Sequence, residues 1–268
     1  MYRRHCCRKC WRASTNPGTS LQVRPTVRID RGQVKEPIVL SWSGGKDSSL
    51  ALDALRRAER FEVVALMTSV TGTYDRIAIH GVRRTLLESQ VRATGLPLFE
   101  IPLEAPSSNA DYEAAFQHAV KDLRVRFPTL RHLAFGDLFL ADVRAYRERL
   151  VADAGMEAVF PLWGMNTTSL AHRFVDEGYR AHLVCVDTEQ LDARFAGHAF
   201  DAALLAALPP SVDPCGENGE FHTFVSDGPI FSAAIPLTIG EMVLRDERFA
   251  YRDLLPAPSS ESRPSGHA

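Results

Sequence analysis

A glycine- and serine-rich segment, "SWSGGKDSSL" at residues 41–50, combines side chains and backbone groups that can bind a phosphate. It follows the apolar run "PIVL" and precedes a stretch whose apolar residues have helical spacing. Gly44 and Gly45 let the backbone turn sharply and approach a ligand closely. The first N–H groups of the following helix would point at that ligand with the positive end of the helix dipole. The segment therefore predicts an anion site between a strand and a helix.

Two common phosphate-binding motifs do not fit this segment. The motif GxxxxGK[ST] requires Ser or Thr after its lysine, whereas Asp47 follows Lys46 in this chain. The dinucleotide-binding pattern GxGxxG is also missing from the segment. An ordinary glycine-rich turn would explain two adjacent glycines, but the strand, "SGGKDS" and the helix together favour a nucleotide site of another kind.

A second stretch, "DPCGENGEFHTF" at residues 213–224, is chemically the richest outside this loop. Glu217 and Glu220 flank Gly219, and His222 follows two residues later. Two carboxylates and an imidazole in a glycine turn can bind an ammonium ion, accept its proton or position a carboxylate acceptor. A capped hairpin with exposed acidic side chains fits the same residues, so the stretch by itself leaves both interpretations open.

The elements that would position both stretches alternate along the chain from residue 37 onward. Helix-spaced segments separate five apolar runs, which are "PIVLSW", "FEVVALMTSV", "LPLFEIPL", "LRHLAFGDLF" and "RAHLVCVD". This pattern predicts an α/β fold in which a parallel sheet carries helices on both faces. After about residue 190, a short helix, a turn with Pro and Gly, and extended segments predict a smaller C-terminal α+β domain.

The predicted organisation has four parts. They are a disordered tail at 1–36, a nucleotide-binding domain at 37–190, the smaller domain at 191–253 and a flexible tail at 254–268. In the first tail Cys6, Cys7 and Cys10 lie near His5. A second ligand pair at zinc-finger spacing is missing, so this cluster is not predicted to bind a metal.

Charge and composition limit the classes of partner. The chain has 268 residues and is 45% hydrophobic, which is enough for a substantial core. Nine of its 31 Lys and Arg residues but two of its 33 Asp and Glu residues precede residue 37, so the remainder is acidic. This argues against a broad nucleic-acid surface. No stretch approaches the roughly 18 apolar residues of a membrane-spanning helix, and the lack of a disulfide-rich pattern predicts a reducing, cytoplasmic compartment.

The stretch "SGGKDS" resembles the PP-loop of the ATP pyrophosphatases, whose common motif is SGGxDS. Two further stretches are similar to those of the diphthine–ammonia ligase (diphthamide synthetase) family. They are "FGDLFLADVRAYRERL" with "PLWG" after it, and "CGENGEFHTF". The resemblance extends from about residue 37 to 253. It implies a Rossmann-like fold of the HUP type, also called adenine nucleotide alpha hydrolase-like. It also implies an enzyme that splits ATP into AMP and pyrophosphate, adenylates a carboxylate and amidates it with ammonia.

The resemblance assigns the loop residues to a pyrophosphate cradle. These residues are Ser43, Gly44, Gly45, Lys46, Asp47, Ser48 and Ser49. Backbone N–H groups and hydroxyls would bond phosphate oxygens, and Lys46 would neutralise charge as the bond between the α- and β-phosphates breaks. Asp47 would help to hold Mg²⁺.

The same resemblance places further residues around the nucleotide and the acceptor. Met67 and Thr68 would border the adenine, although Met67 fits a plain core position as well, and His80 would lie near the nucleotide. Gly136 and Asp137 would lie at the carboxyl edge of the sheet, where α/β folds bind ligands. The implied catalytic set is Lys46, Asp47, Glu217, Glu220 and His222.

The implied partners are ATP, ammonia and a carboxylate acceptor, which would be the diphthine of an elongation factor in a host that makes diphthamide. The 191–253 domain would serve this acceptor. No glutaminase-type Cys/His pair is evident, which favours free ammonia as the nitrogen donor. Two other functions remain open. One is an adenine-nucleotide sensor, and the other is a PP-loop tRNA sulfurtransferase, which would need catalytic cysteines and a basic path for the RNA.

Overall fold

The structure of the protein is a computed structural model, which describes residues 34–71, 76–77, 81–104 and 108–257. His80, the cysteines at 6, 7 and 10, and most of both predicted tails lie outside the described residues. The chain from Val34 onward forms one compact unit. None of the described helices combines the length and the hydrophobicity that a membrane span needs.

The first sheet contains six strands. They are β1 (Glu36–Ser41), β2 (Phe61–Thr71), β3 (Arg76–Ile77), β4 (Leu98–Leu103), β5 (His132–Ala134) and β6 (Glu157–Val159). Five of them are parallel, in the order β4-β2-β1-β5-β6, and β3 pairs antiparallel with the end of β2. The carboxyl ends of β1, β2, β4 and β5 therefore meet at one edge of the sheet, where the loop after β1 begins.

Helices cover both faces of this sheet. They are α1 (Lys46–Arg57), α2 (Arg84–Thr94), α3 (Asn109–Arg126) and α4 (Ala141–Asp153). Successive side chains of a strand point to opposite faces. On β1, Ile38 and Leu40 accordingly join one buried cluster together with α1 and α2, whereas Val39 joins a second cluster with α3 and α4. The predicted α/β fold, a parallel sheet with helices on both faces, is confirmed.

The C-terminal part of the chain forms a second, antiparallel sheet. Its elements are α5 (Thr167–Asp176), β7 (Arg180–Asp187), a 3₁₀ turn (Ala193–Phe195), α6 (Ala202–Ala207), β8 (Phe221–Asp227), β9 (Leu237–Arg245) and β10 (Phe249–Pro256). The strand order is β8-β7-β10-β9. This confirms the smaller α+β part.

The sequence placed β7 in the parallel sheet, and this placement is wrong. β7 pairs antiparallel with β8 and β10. Because it is an inner strand and buried along most of its length, its apolar run looks the same as that of a parallel strand. β10 extends to Pro256, past residue 254 where the flexible tail was predicted to start, because its last residues pair with β9. The domain boundary at residue 190 stays a prediction.

One hydrophobic core joins the two sheets. Leu40 on β1 and Leu50 on α1 belong to the same buried cluster as Phe224 on β8 and Leu254 on β10. Phe224, Leu40 and Leu50 have no exposed surface. The packing of the second sheet against α1 brings β8 next to the loop that precedes α1.

Candidate nucleotide site

The turn between β1 and α1 fits closely against its neighbours. Gly44 has a φ of 77°, a backbone conformation that residues other than glycine rarely adopt. Its carbonyl accepts hydrogen bonds from Gln90 Nε2 at 2.8 Å and from the N–H of Val225 at 2.9 Å. A Cβ at this position would lie 2.6 Å from Gln90 Oε1. Backbone conformation and space therefore both require glycine at position 44.

Lys46 is the first residue of α1, and its side chain is buried. Its ammonium lies 2.8 Å from Asp47 Oδ2 and donates to the carbonyl oxygen of Cys215. The N–H of Lys46 donates to Thr223 Oγ1 at 3.0 Å. Burial works to lower the pKa of Lys46, but the adjacent Asp47 carboxylate raises it overall, so the side chain stays charged. The second sheet thus helps to position the cation of the loop.

Hydroxyl groups hold the loop in shape. Ser48 Oγ and Ser49 Oγ donate to the carbonyl oxygen of Gly45 at 2.9 and 3.0 Å. The N–H of Gly45 donates to Ser43 Oγ at 3.3 Å. The N–H groups of Gly45 and Lys46 are therefore already paired within the chain. A phosphate that binds them has to displace two hydroxyl acceptors.

A charged cavity of about 240 Å³ opens at the start of α1. The predicted site residues that line it are Ser43, Gly45, Lys46, Asp47, Ser48, Gly136, Asp137, Glu217 and His222. Gly44, Ser49 and Glu220 do not line it. Gly136 approaches α1 so closely that a Cβ there would lie 3.0 Å from the backbone of Asp47. The structure thus brings the loop, the residues after β5 and the turn before β8 to one cavity.

Asp47 has a free oxygen suited to a metal ion. Its Oδ1 is buried and has no hydrogen-bond partner, while Oδ2 faces Lys46. Burial raises the pKa of this carboxyl, and the Lys46 ammonium opposes that rise. Within the part of the chain that the structure describes, no three His, Cys, Asp or Glu side chains converge on a metal site. One carboxylate with phosphate oxygens is the usual way in which proteins bind Mg²⁺, so Asp47 fits this ion.

Glu217 lies on the turn before β8 and lines the same cavity as the loop. Its Oε1 accepts the N–H of Leu138 at 2.7 Å and that of Phe139 at 3.3 Å. Burial raises the pKa of Glu217 to about 6, the two backbone N–H groups oppose the rise, and the nearby Asp47 adds to it. The carboxyl can therefore gain or lose a proton near neutral pH.

The predicted catalytic set also includes Glu220 and His222. Their surroundings differ from those of Glu217 and from each other. Glu220 is 2% exposed, and its Oε1 accepts from the N–H of Asp213 at 2.8 Å and from Asn218 Nδ2 at 3.1 Å. It holds the turn together from behind the cavity wall. His222 lines the cavity, and burial, with a smaller effect of Lys46, lowers its pKa to about 4. His222 is therefore neutral at pH 7.

A second, more apolar cavity of about 410 Å³ adjoins the first. Met67 and Thr68 on β2 line it, and their contact with adenine stays a prediction. The other lining residues are Ser41, Trp42, Ser43, Ser69, Ile101, Leu103, Asn109, Tyr112, Tyr146 and Arg147. Ser41, Ser43 and Arg147 also line the charged cavity. The two cavities therefore form one site with a charged end and an apolar end.

Three contributors to this site were not among the predicted residues. Arg147 lies between the cavities, stacked 4.8 Å from the Phe135 ring and 3.7 Å from Asp137. Thr223 holds the N–H of Lys46. Gln90 is fully buried and binds the loop from α2. Gln90 had a signal in the sequence, because it interrupts the apolar stripe of an amphipathic helix.

Comparison with known proteins gives consistent matches for both parts of the chain. The diphthamide synthase N-terminal domain matches residues 36–158, and the diphthamide synthase C-terminal domain matches residues 166–250. The diphthine–ammonia ligase of Schizosaccharomyces pombe is 27% identical over 218 residues. This alignment covers 75% of the present chain and 36% of the yeast protein, so the chain spans about a third of that relative's length.

Proposed function

The chain belongs to the diphthine–ammonia ligase family of the PP-loop superfamily, and we propose that it is an ATP-dependent, AMP-forming ligase that joins ammonia to a carboxylate. A carboxylate oxygen of the acceptor bonds to the α-phosphorus of ATP, and pyrophosphate leaves. The nitrogen of ammonia then bonds to the acceptor carbonyl carbon, AMP leaves, and a base takes up the proton that the new amide loses. Diphthine is the acceptor that the family suggests.

The observation that carries this proposal is the pair of joined cavities. The apolar end, with two tyrosines and Met67, suits a purine ring, and the charged end at the start of α1 suits a polyphosphate. Ser43 and Arg147 belong to both ends, where a ribose and an α-phosphate would lie between ring and pyrophosphate. ATP has the same order of parts, with an apolar purine ring at one end and an anionic triphosphate at the other.

The cavity residues divide into two roles in the proposed reaction. Lys46 and the amides at the start of α1 stabilise the negative charge of the departing pyrophosphate. When Mg²⁺ is bound at Asp47, it neutralises further phosphate charge. Glu217 accepts the proton from ammonia, because its carboxyl titrates near neutral pH and lines the charged cavity.

The alternative of a tRNA sulfurtransferase has less support. Such an enzyme needs reactive thiolates, and the two described cysteines are both buried. Burial raises the pKa of Cys185 to about 11 and that of Cys215 to about 12. The carbonyl of Cys215 already serves the loop by accepting from Lys46. The ligase is therefore the proposal retained here.

The proposal is tested by incubating the purified protein with ATP labelled at the α-phosphate, ammonium, Mg²⁺ and fractionated cell extract. AMP and pyrophosphate should appear only with a fraction that supplies the carboxylate. Lys46→Met and Asp47→Asn should weaken ATP use about 10- to 100-fold, the loss of one charge-assisted contact. Lys121→Met is the matched control, because Lys121 is exposed on α3.

Two results would count against the ligase. Labelled ADP in place of AMP would show cleavage at the wrong phosphate bond. ATP that binds, measured by calorimetry, but stays intact with every fraction would favour the nucleotide sensor. Unchanged ATP affinity and turnover in both loop variants would remove Lys46 and Asp47 from the mechanism.

A further inference from the structure

β9 is the edge strand of the second sheet and carries apolar side chains on both faces. Its one neighbour in the sheet order is β10. Met242 and Leu244 point to one face and Val243 to the other, with exposed fractions of 45%, 54% and 49%. Edge strands of soluble proteins are usually protected by charges, prolines or bulges against pairing with another chain. In β9 the pairing with β10 is irregular between Ile239 and Met242, whereas the stretch from Met242 to Arg245 pairs regularly and has an exposed apolar centre, which is unusual for a free edge.

Two opposite charges flank this apolar centre. Glu241 and Arg245 lie two residues before and after Val243, and all three side chains line one shallow cavity beside Tyr251, so they share one face of the strand. Both charged side chains are exposed, and neither has an ion-pair partner among the residues that the structure describes. Arg245 contacts the ring of Tyr251 at 5.4 Å. When the order Glu-x-Val-x-Arg is reversed, a charge of opposite sign stands at each charged position, so the pattern is complementary in charge to an antiparallel copy of itself.

We propose that β9 pairs antiparallel with β9 of a second copy of this chain, with the two Val243 residues opposite each other on the twofold axis. Glu241 of each copy then faces Arg245 of the other, which gives two identical ion pairs. Met242 of each copy faces Leu244 of the other on the opposite face. The two four-stranded sheets become one continuous sheet across the dimer.

Other registers of the same pairing are less favourable. A twofold axis at Glu241 places two carboxylates directly opposite each other, which is destabilising. An axis at Met242 places Glu241 opposite Val243 and Arg245 opposite Ile239, so neither charge is paired. The register centred on Val243 pairs every charge and every apolar side chain from 241 to 245.

The proposal is tested by sedimentation velocity of the full chain over a concentration series. The unaltered protein should dimerise, and Val243→Lys should be a monomer because two ammonium groups would meet on the axis. Val125→Lys is the matched control, since Val125 is 82% exposed on α3 and distant in sequence from β9. It should leave the dimer unchanged. Circular dichroism and thermal unfolding confirm that each variant is folded.

Charge exchange tests the register itself. Glu241→Arg alone and Arg245→Glu alone should each lower dimer affinity at least about tenfold at low salt, because each creates like charges across the axis. The double variant Glu241→Arg/Arg245→Glu should dimerise again. A mixture of the two single variants should form a mixed dimer. A monomer at all concentrations, a Val243→Lys protein that still dimerises, or no recovery in the double variant would overturn the proposal.

Discussion

Glu217 is a carboxyl group of the cavity that can exchange a proton near neutral pH. Its pKa of about 6 results from burial, which the two N–H groups of residues 138 and 139 only partly offset. His222, with a pKa of about 4, is a weaker base. Asp47 is engaged with Lys46. Among these residues Glu217 is therefore the best placed to take a proton from a nitrogen nucleophile.

Glu217→Gln should remove the pH dependence that the ionisation of Glu217 gives to the free energy of unfolding. The pKa of Glu217 in the folded protein, about 6, lies above the ordinary value of 4.5. The folded state therefore holds this proton more tightly, and the folded protein loses stability as pH rises between these two values. The free energy of unfolding of the wild type should fall relative to that of the variant over this interval. The difference should reach at most about 2 kcal/mol, and less where solvent screens the carboxylate.

Urea titrations of both proteins between about pH 4 and pH 7 measure this difference. Glutamine keeps an oxygen that can accept the N–H of Leu138, so the turn is retained. Parallel pH curves for the two proteins would contradict the raised pKa. The control is Val125→Gln, an exposed position on α3 that carries no titratable group, for which parallel curves are expected.

At the scale of elements, the phosphate loop depends on α2 and β8 for its shape. The Gln90 amide donates to the carbonyls of Gly44 and Val225 at 2.8 and 2.6 Å. Its oxygen accepts from Trp42 Nε1 at 3.2 Å. One buried side chain on α2 thus connects Trp42 after β1, the loop and β8. A displacement of any of these elements would change the position of the loop.

Gly44→Ala should lower the stability more than Gly95→Ala, although both substitutions impose the same backbone strain. Gly44 and Gly95 have φ values of 77° and 74°, but only Gly44 has Gln90 within contact of an added Cβ. Gly95→Ala, with nothing within 4 Å, should cost about 1 kcal/mol of stability from strain alone. Gly44→Ala should cost roughly 2 to 4 kcal/mol and weaken ATP binding. Thermal unfolding and calorimetry measure both, and equal effects of the two substitutions would contradict the close fit.

Local sequence patterns predicted most helices and strands. They could not predict which segments that are distant in sequence contact each other. Short segments of the sequence were enough to predict the "SGGKDS" loop, the parallel strands before and after it, and the position of residues 136 and 137 at the end of a strand. The partner of the Lys46 N–H is Thr223, 177 residues later, and no local pattern indicates that contact. The turn at 217–222 shows the same limit. Its sequence does not reveal that Glu217 faces the cavity while Glu220 lies behind it.

At the scale of the whole molecule, the shared core couples the two sheets. Phe224 on β8 belongs to the same buried cluster as residues of β1 and α1, so the second sheet packs against α1 and shares a core with the first sheet. Lys46 reaches across to the carbonyl of Cys215, and the carbonyl of Gly44 accepts the N–H of Val225. Loss of the second sheet would remove hydrogen-bond partners of the phosphate loop as well as its packing.

Unfolding should therefore occur as one cooperative transition. Differential scanning calorimetry should give a single peak with equal calorimetric and van't Hoff enthalpies. Phe224→Ala in the second sheet and Phe116→Ala on α3 should each lower the stability by about 3 to 5 kcal/mol, since both side chains are fully buried. Phe139→Ala, 40% exposed, is the control and should have a small effect. Two separate peaks, with each buried variant moving only one, would show that the sheets unfold independently.

The position of β10 in the second sheet has a consequence for biosynthesis. This strand lies between β7 and β9, yet it is the last described strand to be translated. The parallel strands from β1 to β6 can begin to fold while the ribosome is still producing the rest of the chain. β8 pairs directly with β7, so Thr223 can reach the phosphate loop before β9 and β10 complete the antiparallel sheet. A nascent chain could therefore form the contacts that hold the loop before residues 249–256 join the second sheet.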